Sequence, residues 1–345
     1  MHAVVAHGPA DLRVENLPEV SAAHDKVLVR VVYGGICGSD LHYAKDGRNG
    51  AYTIEEPLTL GHEVVGVVHE VGPAVESGPP VGTRVAIHPA RPTPLPGGTH
   101  GAGFNLIPGG SYLGSASTTP HTQGGFAEFI EVTPEQLRRI PDELPLKRAA
   151  LAEPLAVAIH GVSRLGDRVK GAHVLVSGAG PVGNLAILAL RAAGAGRITA
   201  SDIQDFPLSV AREVGADDVV RLGLGEKPQE GFDVVVECAG VVPSVVAALA
   251  AARRGGAVLQ LGMLPAGPLP VPLAGLIAKE LTLFGSQRFD VELDAAVALL
   301  AEEERAGAII SQVFELSSAA EAFACAADSS GSSKVLLKIG SDPDE

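Results

Sequence analysis

Cys37-Gly-Ser-Asp-Leu-His42 and Gly61-His62-Glu63 put a thiolate, an imidazole and a carboxylate into two short stretches of the chain. A borderline-soft divalent ion such as zinc takes that mixture of sulfur, nitrogen and oxygen donors readily. Cys37, His62 and Glu63 are therefore candidate metal ligands. Asp40 is a candidate partner for the His62 ring, because a ligating imidazole usually gives its other N–H to a carboxylate. The hydroxyl of Ser39 and the imidazole of His42 could move a proton away from such a centre, and the ordinary pKa of histidine suits that step. Cys238 and Cys325 lack comparable neighbours and read as core or sheet-end cysteines, not metal ligands.

The elements that must hold these residues differ along the chain. Up to about residue 150 the sequence reads as short strands and Gly/Pro-rich loops, with β-branched runs at 26–33 (KVLVRVVY), 64–71 (VVGVVHEV), 84–87 and 126–132. Residues 89–114, with five prolines and seven glycines, read as a long loop, which in a compact domain is normally functional or held by something. After Pro145 the texture changes. A helix is predicted over 147–165, then strand 173–177, helix 182–193, strand 197–201, helix 206–214, strand 233–237, helix 243–253, and strands 257–261 and 281–285. Strands alternating with helices indicate a parallel sheet covered on both faces. The remainder offers one helix after Asp294, another over 319–327 and a closing strand over 335–339. The expected organisation is a β-rich domain over 1–150, a doubly wound domain over 151–288, and a return of the chain over 289–345 that completes the first.

The second chemical feature lies at the first predicted strand-to-helix turn of the doubly wound part, Gly178-Ala-Gly180-Pro-Val-Gly183. A lone GxGxxG is a weak signal, but here an apolar strand precedes it, a helix follows, and Asp202 closes the next strand. Gly178 would allow the tight turn, Gly180 the approach of a pyrophosphate, and Gly183 close packing of helix on strand. Pro181 and Val182 open the helix whose N–H groups would hold the phosphates without a basic side chain. The Asp202 carboxylate would accept from ribose hydroxyls and repel a 2′-phosphate, so NAD is expected rather than NADP. Cys238, Gly240 and Leu261, at the ends of two later strands, complete the expected cofactor-contacting set.

Composition limits the partners. The chain has 345 residues, 46% of them hydrophobic and 19% charged, which describes globular domains, and it has no Trp. A net charge of −14 argues against nucleic acid. Three separated cysteines give no disulfide framework and suit a reducing cytoplasm. The N-terminal stretch lacks the pattern of a signal peptide, and no apolar run is long enough for a bilayer. A cytoplasmic protein acting on a small molecule is expected.

Taken in order, CGSDxH, GHE, AEPL and GxGPxG resemble the zinc-dependent medium-chain dehydrogenases across essentially the whole chain. GGICGSDLHY (34–43), LGHEV (60–64), PHxxGGF (120–126), AEPLAVAIH (152–160) and GSxRF (285–289) are similar to the polyol dehydrogenase branch, and within it to the L-idonate 5-dehydrogenases. The resemblance implies a β-rich GroES-like catalytic domain with a Rossmann domain. It also implies one catalytic zinc per subunit and a homo-oligomer, dimer or tetramer. Cys37 and His62 would ligate the zinc. Where alcohol dehydrogenases of the family have a second cysteine this chain has Glu153, so Glu63 and Glu153 both remain carboxylate candidates. Ser39 and His42 match the family's proton relay from substrate through the cofactor ribose to solvent. Tyr43, Arg48 and Arg288 occupy positions like those of the polyol branch. His121 and Arg288 are expected to recognise a sugar-acid carboxylate, giving oxidation of L-idonate to 5-dehydro-D-gluconate.

One departure and three alternatives accompany this reading. Many relatives hold a structural zinc with four cysteines in the segment corresponding to 89–114. Here the places fall on Thr93, Pro96, Thr99 and Ile107, so no structural zinc is expected. Within the class, a neutral polyol such as sorbitol or xylitol, or threonine, is the alternative substrate. Outside it stand a metal-free quinone-reductase-like or crystallin-like dinucleotide binder, and a zinc hydrolase using a Glu as base. The intact metal donors count against the former and the glycine loop against the latter.

Overall fold

A computed structural model describes residues 1–91, 103–107, 110–223 and 228–345 of the chain. Two sheets dominate. The first has seven strands, and its centre is the run Val27–Gly35, buried along almost its entire length. Glu63–Val71 pairs with it antiparallel, with Gly35 opposite Glu63. On its other side lies Lys334–Lys338, also antiparallel, with Leu336 opposite Gly35. Three chain segments far apart in sequence thus bring strand ends to one point. Cys37 follows the first strand by two residues, His62 precedes the second by one, and Lys334 opens the third.

The second sheet is six-stranded and wholly parallel, in the order Asp218–Arg221, Arg197–Asp202, His173–Ser177, Phe232–Glu237, Ala252–Gln260, Thr282–Gly285. Numbered along the chain this is 3-2-1-4-5-6, the doubly wound order, whose crevice opens where the order reverses between strands 1 and 4. The central strands His173–Ser177 and Phe232–Glu237 are buried on both faces, which is why they read as apolar runs. Val174, Val176, Val234 and Val236 pack with Leu185 and Leu188, whereas Leu175, Val235 and Val258 pack with Val245 and Leu249. The first of these cores continues into the other sheet through Val32, Tyr33 and Val65, with Leu155 and Ala156 between them. Fully burying an aliphatic side chain contributes about 1.5–3 kcal/mol, so this shared core ties the two sheets together.

The expected β-rich and doubly wound parts are therefore present, and several elements within them have other ends than expected. The helix expected over 147–165 is two helices, Leu146–Ala149 and Ala152–Ser163. Pro154 has no N–H for the carbonyl of Ala150 and its ring crowds that oxygen, so one helix cannot run through. The helix expected over 243–253 ends at Ala251, and Ala252 already pairs with Phe232 in the sheet. Strand Ile310–Glu315 was not expected; it is half-exposed and its pattern is weak, but it pairs parallel with Lys334–Lys338. Of the four places compared with a structural zinc site, Ile107 is described, and Thr93, Pro96 and Thr99 lie outside the described residues.

Candidate active site

The converging strand ends build a metal-donor cluster. The Sγ of Cys37, a nitrogen of His62 and a carboxylate oxygen of Glu63 all lie within 4.8 Å of one another, the one such group among the described residues. Cys37 is the residue before helix Gly38–Asp46, and His62 and Glu63 are buried. Asp40, fully buried, joins the two ligand-bearing loops. Its Oδ2 accepts from the Cys37 N–H at 2.9 Å and its Oδ1 from the Gly61 N–H at 3.1 Å, with His62 Nδ1 3.9 Å from Oδ1. Asp40 therefore fixes the backbone beneath both candidate ligands as well as facing the His62 ring.

Two carboxylates flank the cluster and are held differently. Lys334 Nζ donates to Glu63 Oε1 at 2.8 Å and Oε2 at 2.6 Å, and to the Ile36 carbonyl at 3.0 Å. A side chain at Gly35 would collide with the Glu63 carboxylate, so that glycine makes room for it. Glu153, in the first turn of helix Ala152–Ser163, accepts at Oε1 from the Tyr112 hydroxyl at 2.6 Å. Burial raises the proton affinity of Glu153, opposed by the positive His62 nearby. Burial also works against the imidazolium of His62, but Asp40, Cys37 and Glu153 outweigh it and raise its pKa to about 10. A buried pocket of thiol, imidazole and carboxylates that so strongly favours a positive charge fits a zinc ion.

The other expected residues divide. Ser39 is half-buried beside Cys37; His42, one helical turn on, is exposed with Nδ1 3.5 Å from Asp46 Oδ2. Arg288, at φ +49°, lays its guanidinium 3.7 Å from the centre of the Tyr112 ring and forms no ion pair among the described residues. Tyr43 and His121, expected at the substrate, are both buried and held by backbone groups. Tyr43 is 1% exposed and its hydroxyl accepts from the Ala116 N–H at 3.0 Å. His121 takes the Glu55 N–H on Nε2 at 2.9 Å and sits 2.9 Å from the Thr118 carbonyl through Nδ1, so both ring nitrogens are committed to backbone. His160 is a packing residue: Asn105 donates to its Nε2 at 3.1 Å and Nδ1 meets Glu292 at 2.8 Å.

In the doubly wound sheet the glycine loop has the anticipated geometry. Gly178 has φ +94°, and a side chain there would lie 2.8 Å from the Ala239 nitrogen. A side chain at Gly183 would collide with the Gly178 carbonyl, whereas the space beside Gly180 is open. Pro181 and Val182 start helix Pro181–Ala192, whose first N–H groups face that space. Asp202 accepts from the Ala179 N–H at 2.8 Å and from the Gln204 N–H at 2.9 Å, tying the loop to the end of the next strand. Cys238, Gly240 and Leu261 stand at the same edge. Burial pushes the Cys238 thiol up, Gly240 has φ +66°, and the Leu261 N–H donates to the Glu237 carbonyl. The open approach at Gly180, the helix N-terminus and Asp202 fit a dinucleotide.

Three residues of this architecture escaped the reading of the sequence: Tyr112, Lys334 and Glu237. Tyr112 is one of only four tyrosines, a faint signal. Nothing local marks Lys334 as buried.

Comparison with known proteins agrees with this construction. The family model for the alcohol dehydrogenase GroES-like domain matches residues 23–142, and that for the zinc-binding dehydrogenase matches 181–302. The chain belongs to the zinc-dependent medium-chain dehydrogenase family. Its place there is the polyol dehydrogenase branch. It is 34% identical to the sorbitol dehydrogenase of Bos taurus over 354 aligned positions, covering 99% of this chain and 96% of that one. The crystal structure of L-idonate 5-dehydrogenase from Escherichia coli is similar with a TM-score of 0.90 and 33% identity, covering 98% of this chain and 97% of that one. That of 2R,3R-butanediol dehydrogenase from Bacillus subtilis has a TM-score of 0.85 and 29% identity, covering 98% and 99%. The protein is a zinc-dependent polyol or alcohol dehydrogenase, and among the described residues no helix is long and apolar enough to cross a membrane.

Proposed function

We propose that this dehydrogenase oxidises a secondary alcohol of a sugar acid, L-idonate to 5-dehydro-D-gluconate, with NAD as hydride acceptor. The observation that carries the substrate class is the guanidinium of Arg288, stacked on Tyr112 while Tyr112 donates to Glu153 at the metal cluster. A planar cation so placed suits a carboxylate bound bidentately. The likeness to L-idonate 5-dehydrogenase supports the same choice.

Cys37 and His62 would hold the zinc, with Glu63 and Glu153 as the carboxylates available to it. Bound zinc supplies Lewis-acid polarisation of a substrate hydroxyl, and a dinucleotide in the crevice supplies the hydride acceptor. The chain's own part is to orient and to move a proton. Asp40 fixes the two ligand loops, Tyr112 orients Glu153, and Ser39 with His42 leads the proton outward along one helix face to solvent. Asp202 favours NAD, because its carboxylate lies where a 2′-phosphate would be repelled. We also read the protein as a cytoplasmic homo-oligomer, dimer or tetramer, which light scattering would test.

The second reading, a neutral polyol such as sorbitol or xylitol, is favoured by the sorbitol dehydrogenase likeness along nearly the whole chain. NADH formation by zinc-replete protein with L-idonate, sorbitol, xylitol and L-threonine side by side distinguishes the two. A clear preference in kcat/KM for L-idonate, lost in Arg288→Met, supports the sugar acid. Preference for a neutral polyol replaces it.

A further inference from the structure

Glu237 ends strand 4 of the parallel sheet and pairs in register with Ser177, the end of strand 1. It therefore stands at the reversal point where the crevice opens. Its side chain is 0% exposed, yet no Lys, Arg or His among the described residues pairs with it. N–H groups satisfy it instead. Oε1 accepts from Ala239 at 2.9 Å and Gly240 at 3.0 Å, and Oε2 accepts from the Gln260 side-chain amide. Gln260 also donates to the Gly262 carbonyl at 2.7 Å, so the exits of strands 4 and 5 are strapped through one carboxylate. Donors alone surround it, the arrangement an anion requires. The loop it gathers also backs the glycine turn, since Ala239 is the residue that a side chain at Gly178 would strike.

We infer that Glu237 is the positioning residue for the nicotinamide half of the cofactor and biases the crevice toward the oxidised form. Each half of a doubly wound sheet serves one mononucleotide. The glycine turn and Asp202 belong to the first half, and Glu237 leads the second. The oxidised nicotinamide ring carries one positive charge and the reduced ring none, so a buried anion in the wall stabilises the oxidised form selectively. The inference rests on the crevice binding a nicotinamide dinucleotide; the ring charge is the same for NAD and NADP.

The test is equilibrium binding without substrate: calorimetric titration of the purified protein with NAD+ and NADH, and with NADP+ and NADPH beside them. Glu237→Gln keeps the size and removes the charge; the ratio of the NAD+ to NADH Kd should rise about tenfold. A purely structural loosening would weaken both forms alike. Gln260→Lys sets a cation against Glu237 and should move the ratio the same way, which serves if Glu237→Gln does not fold. A folded Glu237→Gln, or a folded Gln260→Lys, with the ratio unchanged overturns the proposal. Wild-type protein that binds none of the four dinucleotides overturns the cofactor reading and the proposal with it.

Discussion

Lys334 Nζ sits 2.8 and 2.6 Å from the two carboxylate oxygens of Glu63, joining the last strand of the chain to the metal cluster near its start. Both side chains are buried, and each offsets much of the cost of burying the other's charge. Lys334→Met should cost about 3–5 kcal/mol, because it strands a buried carboxylate. Lys334→Met with Glu63→Gln should recover a large part of that. Urea unfolding of the two single variants and the double variant measures the coupling; additive losses would show that the pair acts independently.

Chelation of zinc, or replacement of Cys37 or His62 by Ala, should abolish both bound metal and turnover. Glu63→Gln and Glu153→Gln alter the carboxylate set and should lower zinc affinity about 10- to 100-fold. Metal content by elemental analysis, read beside NADH formation, checks this. Full zinc retention in Cys37→Ala would remove that residue from the ligand set.

His42→Ala should slow turnover mainly at low pH, where solvent is a poor proton acceptor and the exposed imidazole is the remaining route outward. The pH profile of kcat for variant and wild type tests the relay. Superimposable profiles would remove His42 from it.

His88 gives the fold its own pH dependence. Its Nδ1 accepts from the Ala90 N–H at 3.1 Å and its Nε2 meets the Asp290 carbonyl at 2.8 Å, an arrangement made for the neutral ring. Burial lowers its pKa. The unfolded chain therefore takes up a proton near pH 6.5 that the folded chain refuses. Its contribution is complete above about pH 6.5 and falls as the pH drops through and below that value, by at most about 1.4 kcal/mol per unit. Denaturant unfolding at pH 8 and pH 5.5 should show wild type losing its advantage over His88→Gln at the lower pH.

Asp202→Ser should raise kcat/KM with NADP relative to NAD by about tenfold, since it removes a charge that repels the 2′-phosphate. It should also weaken NAD binding, because the Ala179 N–H loses its acceptor. Kinetics with both cofactors separates these effects. An unchanged cofactor ratio would show that the carboxylate serves only the glycine loop.

Much of the chemistry was legible in the sequence because it is carried by local spacing. Cys37, His62 and Glu63 declare themselves as candidate metal donors by type and proximity. The turn 178–183 does so by its flanking strand and helix, and the parallel sheet by apolar runs buried on both faces. What the tertiary structure alone decided is which distant strand ends coincide. Antiparallel register on Val27–Gly35 sets Lys334 against Glu63, and Tyr112 reaches Glu153 across 41 residues. The same closure buried Tyr43 and His121 against backbone groups of Ala116 and Glu55, contacts that local spacing does not show. Residue type fixes what a side chain can donate or accept; only the packing of strands from opposite ends of the chain determines which partner it meets.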